Sequence, residues 1–272
     1  MRKWKYAISF AENTPVTAPL PLAGDLYENM KKAVKYGYDA VEFHTRENYE
    51  FDMEKIRRMR EEKTGNICTL VTGRLFTEEK CSLLGNTEET EIKAVNGLRQ
   101  YIQTAGQLKT DLVIGWIKGV VPPGADREKC MERLGEKMKY LCEEAEKQKV
   151  RLLVEVINHY ETNILNTADE TLAFFEKYRL DNCYVHLDTY HMGLEEFDPC
   201  DAIRRCGKRL GYLHVADNSR RYPGSGQFDF KKILSILEEI DYSGFVTVEC
   251  LPEPDRDTAA KKAIAHLKAC EP

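Results

Sequence analysis

The chain has no run of about 18 apolar residues, the length a helix needs to cross a bilayer, so no membrane span is expected. Its first segment, MRKWKYAISFAEN, has a charged start but too short an apolar run for a signal peptide, and reads as a first strand. No two of the nine cysteines form a C-x-x-C pair, which leaves a zinc-thiolate or thioredoxin-like site without support. Their odd number and irregular spacing read as free thiols of a reducing cytoplasm, mostly buried as small hydrophobes. Basic residues are not in excess: 40 Lys and Arg stand against 45 Asp and Glu, a net charge of −5. That balance lacks the basic stripe of a nucleic-acid groove. Histidine is scarce, with six residues, which disfavours a phosphodiesterase built on several imidazole-bound ions. No linker, low-complexity tract or composition shift divides the chain, so residues 1–272 are read as one domain.

What is present is an alternation of short β-rich apolar runs with longer amphipathic segments, the pattern of parallel βαβ units. Strands are expected at 6–10, 40–44, 67–72, 112–116, 152–156, 184–188, 211–215 and 246–249. Helices are expected at 25–36, 52–63, 87–107, 126–149, 167–178, 200–207, 229–240 and 258–269. Eight of each is the number of an α/β fold closed as a single-domain (β/α)8 TIM barrel. Thr167 and Asp169 stand where an N-cap belongs, with Glu170 spaced for a capping box. Asp229 precedes an apolar series at helical spacing, Phe230, Ile233, Leu234, Leu237 and Ile240. Gly37, Gly65 and Gly244 fall where a helix hands over to a strand. The longer loops, 11–24, 73–86, 118–125, 158–166, 189–199 and 216–228, all follow strand C-termini and so share one face. The Pro-rich stretch 14–21 has the composition of a lid.

On that face four successive strands end in ligand-type residues: Glu155 in LLVEV, Asp188 in YVHLD, His214 in GYLHV and Glu249 in FVTVE. Parallel strands closed into a ring would bring them together. Three carboxylates converging without a cation would repel strongly and carry a large desolvation cost. Oxygen-rich ligation with one nitrogen suits Mn2+, Mg2+ or Co2+. A second group lies on the loops just beyond: Glu161 in EVINHYE, His191 in DTYH and Arg220 in HVADNSR. A carboxylate, an imidazole and a guanidinium can hold vicinal hydroxyls and a carbonyl oxygen. A plainer arrangement would be loop salt bridges, for instance Arg220 with Asp217. Gly224 and Gly226 would let the loop turn tightly; this G-x-G lacks the strand-to-helix context of a nucleotide loop.

These motifs, in this order, resemble the xylose-isomerase-like barrel superfamily, and within it the ketose 3-epimerases. EVINHYE resembles that family's glutamate segment, LDTYHM its aspartate-to-histidine loop, HVADNSRRYPGSG its histidine, arginine and Pro-Gly loop, and VTVE its last glutamate strand. The likeness is weakest at 11–21 and 69–84. The resemblance implies that Glu155, Asp188, His214 and Glu249 bind one divalent ion, Mn2+ first and Co2+ or Mg2+ as alternatives. It also implies that Glu161, His191 and Arg220 hold the C1–C3 end of a small-molecule sugar, and that Trp116 forms an aromatic wall; its other reading is barrel core. A homo-oligomer, dimer or tetramer, follows from the same likeness.

The implied reaction is epimerisation of an unphosphorylated ketose at C3 through a cis-enediolate, with Glu155 and Glu249 as catalytic groups on opposite faces of C3. The same machinery would serve an aldose–ketose, hydroxypyruvate or inosose isomerase, or an eliminase acting on keto-glycosides. Arg220 and Arg221 could read a phosphate, but the loop after Glu249, CLPEPD, is acidic and offers no Gly-rich nest. A non-catalytic sugar-binding barrel would not need both candidate bases.

Overall fold

Each strand of the barrel carries two sets of side chains, one for each face. In GYLHV, Leu213 and Val215 point outward to the helices while Tyr212 and His214 point in; VTVE alternates in the same way, as period-two pleating requires. The computed structural model describes residues 2–272; Met1, the first residue of the expected domain, lies outside the described residues. Its strands are β1 Lys5–Ala11, β2 Ala40–His44, β3 Ile67–Val71, β4 Asp111–Ile114, β5 Leu152–Glu155, β6 Cys183–Asp188, β7 Leu210–Val215 and β8 Phe245–Val248. All pair parallel in chain order and β1 pairs β8, closing the ring; a two-residue strand, Leu22–Ala23, adds to β1 outside it. The eight outer helices are α1 Leu26–Tyr36, α2 Met53–Glu61, α3 Glu88–Leu108, α4 Arg127–Lys147, α5 Ala168–Tyr178, α6 Pro199–Cys206, α7 Phe230–Glu239 and α8 Arg256–Ala269. The fold is a single-domain (β/α)8 barrel, as expected.

Several local expectations are corrected. Two of the long loops contain helices, Gly73–Thr77 and Thr189–Glu195. Both start directly from a strand end, and the second is capped by Asp188 itself, so no loop-type signal separates strand from helix. The fourth strand stops at Ile114, and Trp116 opens a 3-10 turn, Trp116–Lys118, with 37% of its surface exposed. Trp116 is therefore not barrel core. At α5 the Thr167 hydroxyl caps the helix, but Glu170 reaches back to the N–H of Asn166, one residue earlier than a capping box requires. Asp169 instead pairs with Arg205. Gly37 makes the left-handed turn after α1 (φ 99°), whereas before Gly65 and Gly244 that turn is made by Lys63 and Asp241. Those two glycines serve close packing, against Met30 and the Tyr242 ring.

The barrel interior is layered. At the bottom, Ala7, Ala40, Cys68, Val113, Leu153 and Tyr212 form an apolar plug. Above it lies a hydrogen-bonded layer: Ser9 donates to Glu42 (2.6 Å), Thr247 donates to the Tyr212 hydroxyl (2.6 Å), and Thr69 meets both Glu42 (3.2 Å) and Tyr212 (3.0 Å). Each such group left unpaired would cost about 1–3 kcal/mol, so the satisfied layer fixes the height at which the polar site begins. Register shifts at Val41/Glu42 and Val185/His186 re-aim two strands within this layer. Beyond the second shift Asp188 stands directly beside His214.

Candidate active site

The four strand-end residues come together at the open mouth. Glu155 and Asp188 are the last residues of β5 and β6, His214 is the penultimate residue of β7, and Glu249 follows β8. Ligand atoms of Asp188, His214 and Glu249 lie within 4.8 Å of one another, as do those of Glu155, Asp188 and His191. Among the described residues Glu155 and Glu249 share no such cluster; they flank Asp188 and His214 from two sides. Asp188 divides its carboxylate: Oδ1 accepts from the N–H of Tyr190 (2.7 Å), while Oδ2 is buried without a hydrogen bond. His214 does likewise, with Nε2 against Glu42 (2.9 Å) and Nδ1 buried without a hydrogen bond, 3.6 Å from Glu249 and 3.9 Å from Asp188 Oδ2. Gly115 leaves the space that the Glu155 carboxylate occupies; a Cβ there would collide with Oε2. Two orphaned donor atoms between two flanking carboxylates fit one divalent ion of oxygen-preferring or borderline type.

The expected second group is present as well. Arg220 is a non-glycine residue held at φ 59°, a strained conformation fixed from both sides. Its N–H donates to the Asp217 carbonyl (2.7 Å) and its carbonyl accepts from Leu251 (2.7 Å). The guanidinium lies 3.3 Å from Glu249, 3.4 Å from Glu161 and 4.8 Å over the Tyr190 ring. It does not pair with the Asp217 side chain, which accepts from the backbone N–H groups of Asn218, Gly224, Gly226 and Phe228 and so organises the loop. Gly224 takes the left-handed turn (φ 89°), and a side chain at Gly226 would strike Asp217 and Asn218. Arg221 turns away to Glu253 (2.5 Å), so the two arginines do not converge on one anion. Trp116 Nε1 donates to Glu161 (2.9 Å), and Asn158 bridges Glu161 (3.1 Å) and His191 Nδ1 (2.6 Å). A cavity of about 330 Å3 above these groups is walled by Asn13, Thr14, Pro15, Ala18 and Pro19 of the first loop, by Arg74 of the helix at 73–77 and by Glu78 just after it.

The carboxylates are tuned apart. Burial, reinforced by the charge of Glu249, pushes Glu155 up to about 8. Burial acts on Glu249 in the same direction, but His214, Arg220 and His44 outweigh it and hold its carboxyl down at about 2. Burial lowers His191, and strongly lowers His186.

Residues from the first half of the chain complete the site and were not singled out from the sequence. Glu42 is fully buried on β2, orients His214, and accepts from Ser9, Thr69 and His44 (3.2 Å). Its burial cost is outweighed by His214 and His44, which hold its carboxyl well below the usual range. Lys118 is also buried and donates to the carbonyl of Glu155. The signal for Glu42 in the sequence is a charged residue in the middle of a short strand, AVEFH.

The xylose isomerase-like TIM barrel family model matches residues 30–270. The L-ribulose 3-epimerase of Methylomonas sp. (strain DH-1) is 39% identical over 131 residues, 48% of this chain and 46% of that protein. The matched stretch thus spans about half the length of that relative. The hydroxypyruvate isomerase of Escherichia coli (strain K12) is 24% identical over 235 residues, 84% of this chain and 89% of that one. The crystal structure of N-terminal His-tagged D-allulose 3-epimerase from Methylomonas sp. matches with a TM-score of 0.80 at 25% identity over 99% of both chains. With the closed barrel, and with the family model matching residues 30–270, the chain belongs to the xylose isomerase-like TIM barrel family.

Proposed function

We propose that the protein is an isomerase that inverts C3 of an unphosphorylated ketose by moving a proton across a cis-enediolate. The observation that carries this reading is the placement of Glu155 and Glu249 on two sides of the Asp188–His214 pair, facing one cavity. A divalent ion held by Glu155, Asp188, His214 and Glu249, which we take as Mn2+, would supply Lewis acidity for the charge that develops beside the carbonyl. Either Glu155 or Glu249, according to the configuration at C3, removes the C3 proton from one face, and the other returns a proton from the opposite face. His191 and Arg220 hold the O1 and O2 end and polarise the carbonyl. Glu161, itself fixed by Trp116, Asn158 and Arg220, accepts from substrate hydroxyls and keeps them cis. Trp116 forms the side wall. Three of the ketose 3-epimerase relatives, 36–39% identical over 124–131 residues, support the reaction class. The departure of Arg221 toward Glu253 supports an unphosphorylated substrate. Eight buried thiols, none of them bridged, support a reducing cytoplasm. No helix among the described residues is long and apolar enough to cross a membrane.

A second reading is aldose–ketose transfer between C1 and C2, favoured by the likeness to hydroxypyruvate isomerase over 84% of the chain. The deciding experiment incubates the Mn2+-loaded protein in D2O with fructose, tagatose, psicose, ribulose and xylulose and follows each C–H by NMR. Deuterium at C3 with a new epimer is the expected result. Exchange at C1 with aldose formation would establish the isomerase, and no exchange in any free ketose would overturn the free-sugar reading.

A further inference from the structure

His186 is a buried imidazole with no assigned task. It lies on β6, two residues before Asp188 and directly beside Glu155 in the β5–β6 register. It has no exposed surface, and neither ring nitrogen has a hydrogen-bond partner. It packs edge-to-face with two rings: His214 at 4.1 Å between centroids (84°) and Tyr212 at 4.9 Å (78°). An imidazole that serves only as packing would forfeit about 1–3 kcal/mol for each unpaired nitrogen, a cost a leucine of similar size avoids. One of its nitrogens lies within 4.8 Å of a ligand atom of both Glu155 and His214.

We propose that His186 is a nitrogen donor to the ion held by Glu155 and His214, so that the centre offers two imidazoles instead of one. The inference rests on the metal site of the proposed function and extends it to ion selection. Imidazole suits Co2+ and other borderline ions, whereas Mg2+ prefers oxygen ligands and keeps its water. Two nitrogens in the donor set therefore bias the protein toward Co2+ and Mn2+ over Mg2+. Tyr212 and His214 pack against the ring at close to right angles and hold it in place.

The test counts coordinated nitrogens by electron spin echo spectroscopy on the full chain loaded with Mn2+ alone, with Co2+ and Mg2+ affinities measured by titration calorimetry. The native protein is expected to show two imidazole nitrogens. His186→Leu is expected to show one and to lose at least the roughly 10–100-fold in Co2+ affinity that even an indirect partner of a metal ligand contributes, with a smaller change for Mg2+. His191→Leu is expected to keep both nitrogens. A native count of one overturns the proposal whether or not the leucine variant folds, and so does a count of two that survives in His186→Leu. Failure of Mn2+ to bind at all would overturn the metal centre itself, a result distinct from a bound ion with a single nitrogen.

Discussion

The two halves of the barrel contribute to the mouth in different ways. Strands β5–β8 each deliver a side chain to the site, from within one residue of the strand end. Strands β1–β4 deliver support: Glu42 orients His214, Gly115 makes room for Glu155, and the helix at 73–77 anchors the first loop. On the proposed reading the second half carries the chemistry, and the first half sets its geometry and its outer wall. A ligand must point at the ion, and its strand position shows this; a supporting residue needs only to touch a ligand, which any neighbouring strand can arrange.

The strongest challenge to this division is to remove one of the facing carboxylates. Glu249→Gln and Glu155→Gln are each expected to lower kcat by about 10²–10⁴, the range for a positioned acid or base, measured by C3 exchange under saturating Mn2+. If only one of the two mattered, the two-sided arrangement would fail. A supporting residue should act through the ion: Glu42→Gln is expected to weaken Mn2+ binding by about 10–100-fold while the fold is retained, as read by calorimetry and circular dichroism. A fall in kcat at saturating metal would instead place Glu42 in the reacting half.

Loading the metal-free protein with Mn2+ tests the tuning of the ligands. Because Glu155 stands at about 8 in the metal-free site, its protonated form dominates at pH 7, and binding must expel that proton. His214 is raised well above its ordinary value by Glu42 and Glu249, which outweigh its burial, and must also give up a proton at Nδ1. Apparent affinity should therefore rise with pH up to about 8, with more than one proton released per ion, measured by calorimetry in buffers of different ionisation enthalpy. The smallest effect is expected at the outer wall. Arg74 donates to the carbonyls of Asn13 (2.8 Å) and His44 (3.2 Å), and Arg256 to those of Leu20 (2.6 Å) and Thr14 (3.2 Å). Arg74→Ala or Arg256→Ala should raise KM by about two- to tenfold, the worth of one or two net hydrogen bonds, with kcat nearly unchanged.

This asymmetry also explains what could be read from the chain. Glu155, Asp188, His214 and Glu249 are each legible because a charged or imidazole residue stands at or within one residue of the end of an apolar strand, a pattern carried by about five consecutive residues. Glu161, His191 and Arg220 follow by short spacing from those strands. Glu42 is not legible in this way because it sits in mid-strand, and its partner His214 is 172 residues away. The helices at 73–77 and 189–195 were missed because their capping residues belong to the preceding strand or directly follow it.

By itself the sequence determined the closed parallel barrel, the face that gathers the polar strand ends and the four residues proposed there as ligands. Period-two alternation, helical spacing and strand-end position are all properties of contiguous residues. Tertiary structure alone decided the pairings: Arg220 with Glu161 and Glu249 rather than Asp217, Trp116 as the cavity wall that holds Glu161, and Glu42 and His186 beside His214. These depend on strand register and on which buried polar atoms it brings within reach of one another. Both are set by ring closure across the whole chain and leave no mark at any one position.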